Sequence, residues 1–237
     1  MKILLASGDH HTCGSNPISK VTFNGDKVWA KYLSDSLNYK YLNIAKPGAG
    51  TEEVAMNTIM CAHNLIEKHK EDPANIFVVV LWGVNNKKHL YWTGDEHRSY
   101  GIGSTMEVSN DVKQFVEHKT KLDSGGYDVY KDFYNIYTTA IALERYNIKY
   151  QFLNTSTLRK PIDKKVLEVF NVVSGLYGNR AEKHLGLYND VESFDSYVKE
   201  RATPLASGAN SYPYWGEDAH KIYSNYVLSK VNANAWN

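Results

Sequence analysis

Three short polar segments carry the residue types that could do chemistry. They are Ser7–Thr12 (SGDHHT), Pro47–Thr51 (PGAGT) and Gly83–Asn86 (GVNN). An imidazole can act as a base or a nucleophile, and a neighbouring carboxylate can orient it. Backbone N–H groups in a turn and an Asn amide can stabilise an oxyanion. Each segment alone is an ordinary turn, since Gly and Asn are common there. Their placement is more informative, because each follows a predicted strand.

The strands that must position these turns are short apolar runs. Ile3–Ser7 and Ile76–Trp82 read as buried parallel strands, and Tyr41–Ile44 and Tyr150–Leu153 as further strands. Helical spacing of apolar residues predicts four long helices: Val28–Asn38, Thr51 to about His69 with Thr51 as its N-cap, Tyr130–Tyr146 and Glu217–Val231. Strands alternating with helices predict an α/β fold, a parallel sheet covered by helices on both faces. Ligands bind such sheets at the carboxyl ends of the strands, where the three turns lie.

The chain shows no internal repeat and no low-complexity segment, and we predict a single domain over residues 1–237. Two long excursions interrupt the alternation, at about 91–123 and 158–201, the second part helical over Lys164–Phe170. Excursions of this kind usually lie over the active-site edge of an α/β fold.

Composition excludes several classes of function. A formal charge of +1 gives no overall field to attract nucleic acid or an anionic membrane surface. Two cysteines are too few for a disulfide framework or a Cys-built zinc site. No apolar run reaches the ~18–20 residues of a membrane span, and the first residues do not form a secretory signal. We therefore expect a cytoplasmic protein with no nucleic-acid or membrane partner.

The three turns resemble the sequence blocks of the SGNH, or GDSL, hydrolase family. Gly8–His10 stands where the family has Gly-Asp-Ser, and Gly48 follows Asn43 at the family spacing. Gly83–Asn86 matches Gly-x-Asn-Asp except at its last residue. The similarity is strongest to SGNH-like proteins of tailed bacteriophages, and three further residues fit that pattern: His11, Thr12 and Gly14. The resemblance implies an αβα three-layer sandwich, flavodoxin-like and SGNH-hydrolase-like, that hydrolyses a carboxylic ester without a cofactor.

The resemblance also assigns roles in catalysis. In the family a Ser attacks the ester, a His activated by an Asp takes its proton, and three donors hold the oxyanion. Gly48 and Asn85 stand at two donor positions, but His10 occupies the place of the Ser. Histidine cannot form the usual acyl-enzyme through an oxygen, although imidazole is itself a possible nucleophile. The resemblance thus implies an esterase scaffold with altered or lost catalysis.

Two alignments compete at the end of the chain. In one, His220 is the catalytic His and Glu217 its carboxylate partner at the family spacing. In the other, Tyr214 stands at the catalytic position and Ser211 at that of the Asp, while His220 is a packing or capping residue. Helical phase favours the second, because Glu217 and His220 fall in the first turn of the last predicted helix.

The remaining candidates concern the ligand. We expect Asp9, His11, Thr12, Gly83 and Trp215 to line the site for a small-molecule or carbohydrate ester. The aromatic residues beside it form either a stacking wall or the rim of the core. Asp9, His10 and His11 could bind a metal, but adjacent side chains rarely point to one centre, so we predict no metal and no cofactor. The alternative function is a non-catalytic virion-associated protein, or one that binds a small ligand or host factor.

Overall fold

A computed structural model describes most of the chain. The described residues are 1–14, 25–83, 88–93, 96–101, 109–122, 126–155, 192–202, 204–207 and 213–234.

The centre of the fold is a parallel sheet. In chain order the strands are β1 Ile3–Gly8, β2 Lys40–Asn43, β3 Ile76–Trp82, β4 Lys88–Thr93, β5 Glu96–Gly101, β6 Lys149–Asn154, β7 Pro204–Ser207 and β8 Pro213–Trp215. Four of them form the parallel sheet in the order β2-β1-β3-β6, the flavodoxin-like arrangement. Two small antiparallel pairs, β4-β5 and β7-β8, lie outside it. The central strands are apolar without alternation because helices cover both faces.

Seven helices surround the sheet in the described part of the chain. They are α1 His10–Cys13, α2 Trp29–Leu37, α3 Thr51–Glu67, α4 Asn110–Leu122, α5 Gly126–Arg145, α6 Phe194–Lys199 and α7 Glu217–Asn234. Short 3₁₀ turns precede α2 and β3. No helix in the described ranges is long and apolar enough to cross a membrane.

Two hydrophobic cores lie on opposite faces of the sheet. One joins α3 and α5 to side chains such as Leu5 and Val80. The other joins α2, α6 and α7 to side chains such as Leu4 and Leu81. Because successive strand residues point to opposite faces, β1 and β3 contribute to both cores. The result is an α/β sandwich of three layers, as expected.

The predicted strands and long helices are confirmed to within a few residues. The structure first differs from the prediction at the N-terminus of α3. Gly50, not Thr51, is its N-cap, and the Thr51 hydroxyl instead donates to the buried carboxylate of Asp132.

The excursions differ more. The first contains the β4-β5 hairpin and α4, and the second ends in α6, whose Phe194 and Val198 are fully buried in the core. The helix predicted over Lys164–Phe170 lies outside the described residues.

Candidate functional site

The register of the sheet brings the polar strand ends to one edge. Gly8 pairs with Leu81, and Trp82 with Asn154, so β1, β3 and β6 end together. Asp9, Gly83 and Thr155 follow directly at this edge. Polar side chains there can meet one ligand.

The first turn needs glycine at position 8. Gly8 has φ +150°, and a Cβ there would lie 2.6 Å from Thr12 Oγ1 and 2.8 Å from the Leu81 carbonyl oxygen. Both contacts are too close for a side chain, and the φ is one that L-residues rarely adopt. Gly8 therefore lets the chain turn sharply from β1 into α1.

Asp9 then fixes the start of α1. Its Oδ1 accepts a hydrogen bond from the His11 N–H at 3.1 Å, the usual N-cap interaction. Its Oδ2 lies 3.5 Å from His10 Nδ1, and the carboxylate is almost fully buried. The His10 side chain keeps 29% of its surface exposed. A buried carboxylate thus faces a histidine that solvent or a ligand can reach.

Two further histidines pack against one phenylalanine. The rings of His11 and His220 have centroids 5.0 and 5.2 Å from that of Phe194. Burial lowers the pKa of His11, although the nearby Asp9 carboxylate opposes this. Burial, with further contributions from His11 and His10, lowers the pKa of His220 to about 3. Both buried rings are therefore neutral at pH 7.

The hydrogen bond of His220 sets its tautomer. Its Nδ1 accepts the backbone N–H of Trp29 at 3.3 Å, so the neutral ring carries its proton on Nε2. Trp29 is the first residue of α2, whose N-cap Val28 provides no side-chain acceptor. His220 thereby satisfies one of the unpaired N–H groups at that helix terminus.

Glu217 does not join His220. Its carboxylate accepts from the Tyr32 hydroxyl at 2.7 Å and pairs with Lys221 at 2.7 Å and Lys27 at 2.9 Å. These donors, with Lys221 the largest contribution, lower the pKa of Glu217 to about 2. The Glu217–His220 pair of the first alignment is thus not assembled in the structure.

The other alignment places Tyr214 in β8, where the structure describes its backbone path alone. Ser211 lies outside the described residues, as does Asn85, the expected oxyanion donor from the third turn.

The second turn is tied to the first by hydrogen bonds. Asn43 Nδ2 donates to the Thr12 carbonyl at 2.9 Å, and its Oδ1 accepts from the Ala45 N–H at 3.0 Å. The Lys46 N–H donates to the Gly8 carbonyl at 3.2 Å. Gly48 follows with φ +77° in the left-handed region. The hydrogen bonds from Asn43 and Lys46 therefore hold the turn that contains Gly48 against the turn after β1.

Several residues that were expected to contact the ligand are buried. Trp215 is 4% exposed, and its indole N–H donates to Asp195 Oδ1 at 3.1 Å. The interpretation of Trp215 as a stacking wall is wrong, because its ring lies in the core. Ser7, near the end of β1, is also buried, and its hydroxyl lies 2.8 Å from Thr58 Oγ1.

Thr12 is buried too, and its hydroxyl has no hydrogen-bond partner among the described atoms. Gly83 is buried at the end of β3. The five expected ligand-lining residues are thus all buried, whereas the neighbouring His10, an expected catalytic residue, offers a partly exposed polar side chain.

Sequence reasoning missed three residues near the site. Phe194 contacts both His11 and His220, Asp195 accepts a hydrogen bond from Trp215, and Asn154 ends β6 with a buried Oδ1 that has no partner among the described atoms. Phe194 and Asp195 fall in the second excursion, where no pattern signalled them. Asn154 follows directly after the predicted strand Tyr150–Leu153, a signal that could have been used.

The first turn also gathers metal-ligand groups. One atom each from Asp9, His10 and His11 lies within 4.8 Å of the other two, and the two imidazole centroids are 3.9 Å apart. The expectation that adjacent side chains would diverge is wrong here. The N-cap bond of Asp9 folds its carboxylate back over the first turn of α1.

No protein-family model matches the sequence. No curated protein matches it either. Solved structures do share its fold. A member of the lipolytic protein G-D-S-L family from Veillonella parvula superposes with a TM-score of 0.50 at 14% identity, covering 97% of each chain. TesA superposes with a TM-score of 0.50 at 12% identity, covering 98% of this chain and 99% of that one. The fold is therefore α/β and SGNH-hydrolase-like.

Proposed function

We propose that this protein hydrolyses carboxylic esters on an SGNH-hydrolase-like scaffold in which His10 replaces the serine. The observation that carries the proposal is the buried Asp9 carboxylate, 3.5 Å from Nδ1 of a partly exposed His10 at the carboxyl end of β1. A carboxylate so placed orients an imidazole and stabilises its protonated form. Ester hydrolysis is favoured over other reactions because the fold is shared with lipolytic G-D-S-L proteins.

The reaction can proceed without a covalent intermediate. With Nδ1 facing Asp9, the Nε2 of His10 takes a proton from water, and the water oxygen attacks the carbonyl carbon. The Gly48 N–H and the Asn85 amide are the candidate donors to the oxyanion that forms. The C–O bond to the alcohol then breaks, and the proton on Nε2 passes to the leaving alkoxide. A carboxylic acid and an alcohol result, and His10 returns to its neutral form.

The substrate class follows from charge and resemblance. A formal charge of +1 favours a neutral ligand over a polyanion. An acetyl ester of a small molecule or a carbohydrate fits that condition, and no cofactor is needed for the steps above.

A second candidate is a non-catalytic protein on the same scaffold. It is favoured by His220 and Glu217, whose Nδ1 and carboxylate are engaged by Trp29, Tyr32 and two lysines rather than by each other. Such a protein would bind an ester, a carbohydrate or a host factor. Its setting would be a tailed-phage virion or the cytoplasm of the host cell, in line with the phage-like first and second turns.

Hydrolysis of a generic acetyl ester tests these candidates. We expect His10→Ala to lower kcat/KM by about 100-fold or more, the usual contribution of a general base. Asp9→Asn keeps a good N-cap but removes the charge, so a smaller loss is expected. His63→Ala, an exposed histidine on α3, is the matched control and should leave the rate unchanged. A pre-steady-state burst would indicate that His10 is a nucleophile rather than a base.

The remaining outcomes separate the alternatives. No turnover by the unaltered protein supports the non-catalytic candidate. Turnover that appears only in His10→Ser means that the scaffold is intact and lacks the nucleophile alone. Turnover equal in His10→Ala and the unaltered protein overturns the role of His10.

A further inference from the structure

The residues at the start of α1 include two imidazoles and one carboxylate within a small volume. One ligand atom from each of Asp9, His10 and His11 lies within 4.8 Å of the others. Asp9 and His11 are buried, whereas His10 is partly exposed. The group therefore has a protected side and a side open to solvent.

We propose that Asp9, His10 and His11 bind a divalent cation of the Zn²⁺ class. Two nitrogen ligands and one carboxylate oxygen suit Zn²⁺ or Co²⁺, which accept three protein ligands and leave one position for water. Mg²⁺ and Ca²⁺ prefer sites built from oxygen alone. The proposal goes beyond ester hydrolysis, because binding of the cation requires no ester.

Local geometry makes the site attainable. The N-cap bond from the His11 N–H holds Asp9 Oδ1, which directs Oδ2 toward His10. The His10 and His11 rings lie 3.9 Å apart with a 38° tilt. Donors around a tetrahedral zinc ion are about 3.4 Å apart, given metal–ligand distances near 2.1 Å. The three ligand atoms, all within 4.8 Å of one another, need only small side-chain rotations to reach this spacing. The partly exposed His10 side chain gives the ion its entry path.

Titration with zinc chloride and cobalt chloride tests the site on the full, untagged chain. We expect one equivalent of Zn²⁺ to bind by calorimetry, and Co²⁺ to give the intense visible absorption of a low-symmetry tetrahedral site. His10→Ala and His11→Ala should each weaken binding by roughly tenfold or more, since ligands matter at least as much as their supporting partners. His63→Ala should bind like the unaltered protein.

Two results would overturn the proposal. One is the absence of any binding at concentrations that detect a Kd of about 0.1 mM. The other is unchanged affinity and stoichiometry in His10→Ala, which places the ion elsewhere. His10 is the decisive position because its side chain is partly exposed, so its loss should spare the fold even if the buried His11 cannot be replaced. Circular dichroism checks both variants. The readout is binding, so it is independent of whether the protein hydrolyses esters.

Discussion

Asp9 combines three interactions in one side chain. It caps α1 through the His11 N–H, faces His10 through its other oxygen, and is a candidate metal ligand. A His10 nitrogen that coordinates a metal cannot at the same time accept a proton from water. When one nitrogen of His10 coordinates a metal, the other carries the ring proton, so metal occupancy and general-base action are alternative states of the first turn. Zinc would then lower any hydrolysis that depends on His10 as a base.

Two buried threonines, Thr58 and Thr12, give a matched test of what a buried hydroxyl contributes to stability. Thr58 Oγ1 is bonded to Ser7 and to the Val54 carbonyl, whereas Thr12 Oγ1 has no partner among the described atoms. Thr58→Val should lower the free energy of unfolding by about 1–3 kcal/mol, because it leaves buried polar groups unpaired. Thr12→Val removes an unpaired hydroxyl of similar shape and should be neutral or stabilising. Urea unfolding measures both.

The same variants report on the ligand site. Because the Thr12 hydroxyl is buried, Thr12→Val should leave ester turnover unchanged as well as stability. A loss of turnover at unchanged stability would show that this hydroxyl contacts the ligand. A destabilisation by Thr12→Val as large as that by Thr58→Val would show that its hydroxyl has a structural partner.

At the scale of elements, His220 connects the last helix to the second. It lies in the first turn of α7, and its Nδ1 accepts the first N–H of α2. Nearby, Glu217 of α7 binds Tyr32 of α2 and Lys27 before it. The first turn of α7 therefore fixes α2 over the sheet rather than supplying a catalytic pair.

The His220 contact predicts a pH dependence of stability. Its pKa is lowered from 6.5 to about 3, so in this range the unfolded chain binds a proton that the folded chain does not. The free energy of unfolding should then fall as pH falls below 6.5, by up to about 1.4 kcal/mol per pH unit for one proton. His10 and His11 on α1 face the same ring, and the lowered pKa of His11 acts in the same direction.

Urea unfolding at several values between about pH 5 and pH 7 tests this, above the range in which Glu217 titrates. His220→Asn retains an amide oxygen near the position of Nδ1 and should give a shallower slope, with part of the dependence left to His11. His63→Asn is the control and should keep the full slope. An unchanged slope in His220→Asn would mean that another group carries the dependence.

The sequence predicted the elements that depend on local pattern. β1, β3 and the long helices were predictable because each is a long apolar run or has a sustained helical period. The hairpin β4-β5 was not, because its strands (KHLYWT and EHRSYG) lack a sustained apolar run. The helix α6 was not, because its six residues are too few to show a helical period. Phe194 is the plainest case, because it is buried between α1 and α7 by tertiary packing alone.

The candidate site was predictable in part. The rule that ligands bind at the carboxyl ends of parallel strands predicted Asp9, His10 and Gly48 at one edge of the sheet. It could not indicate that His10 and His11 converge with Asp9, because this depends on the N-cap bond. Nor could it decide between the two alignments of the end of the chain, because that choice depends on the side-chain contacts of Glu217 and His220.

At the scale of the whole molecule, one sheet supports both cores and the site. β1 and β3 lie side by side in the sheet and send alternate residues to each face. The carboxyl end of β1 is also the start of the Asp9–His11 turn. A substitution that disrupts either core should therefore also disturb the Asp9–His11 turn, because β1 belongs to both cores.

Adjacent leucines of β1 give a matched test of this coupling. Leu4 faces the core of α2 and α7, and Leu5 faces the core of α3 and α5, both fully buried. Leu4→Ala and Leu5→Ala should each lower the free energy of unfolding by about 2–5 kcal/mol. Because the strand belongs to both layers, each variant should still unfold in one transition.

The two cores can be followed separately, since Trp29 and Trp215 lie in one and Trp82 lies in the other. In the Leu variants, Trp82→Phe removes the fluorescence reporter of one core, and the double replacement Trp29→Phe and Trp215→Phe removes the reporters of the other. The midpoints should coincide with those from circular dichroism whichever reporter is kept. Separate midpoints for Leu4→Ala and not for Leu5→Ala would mean that the α2–α7 layer unfolds alone. The turn at His10 would then depend on one layer rather than on the whole sheet.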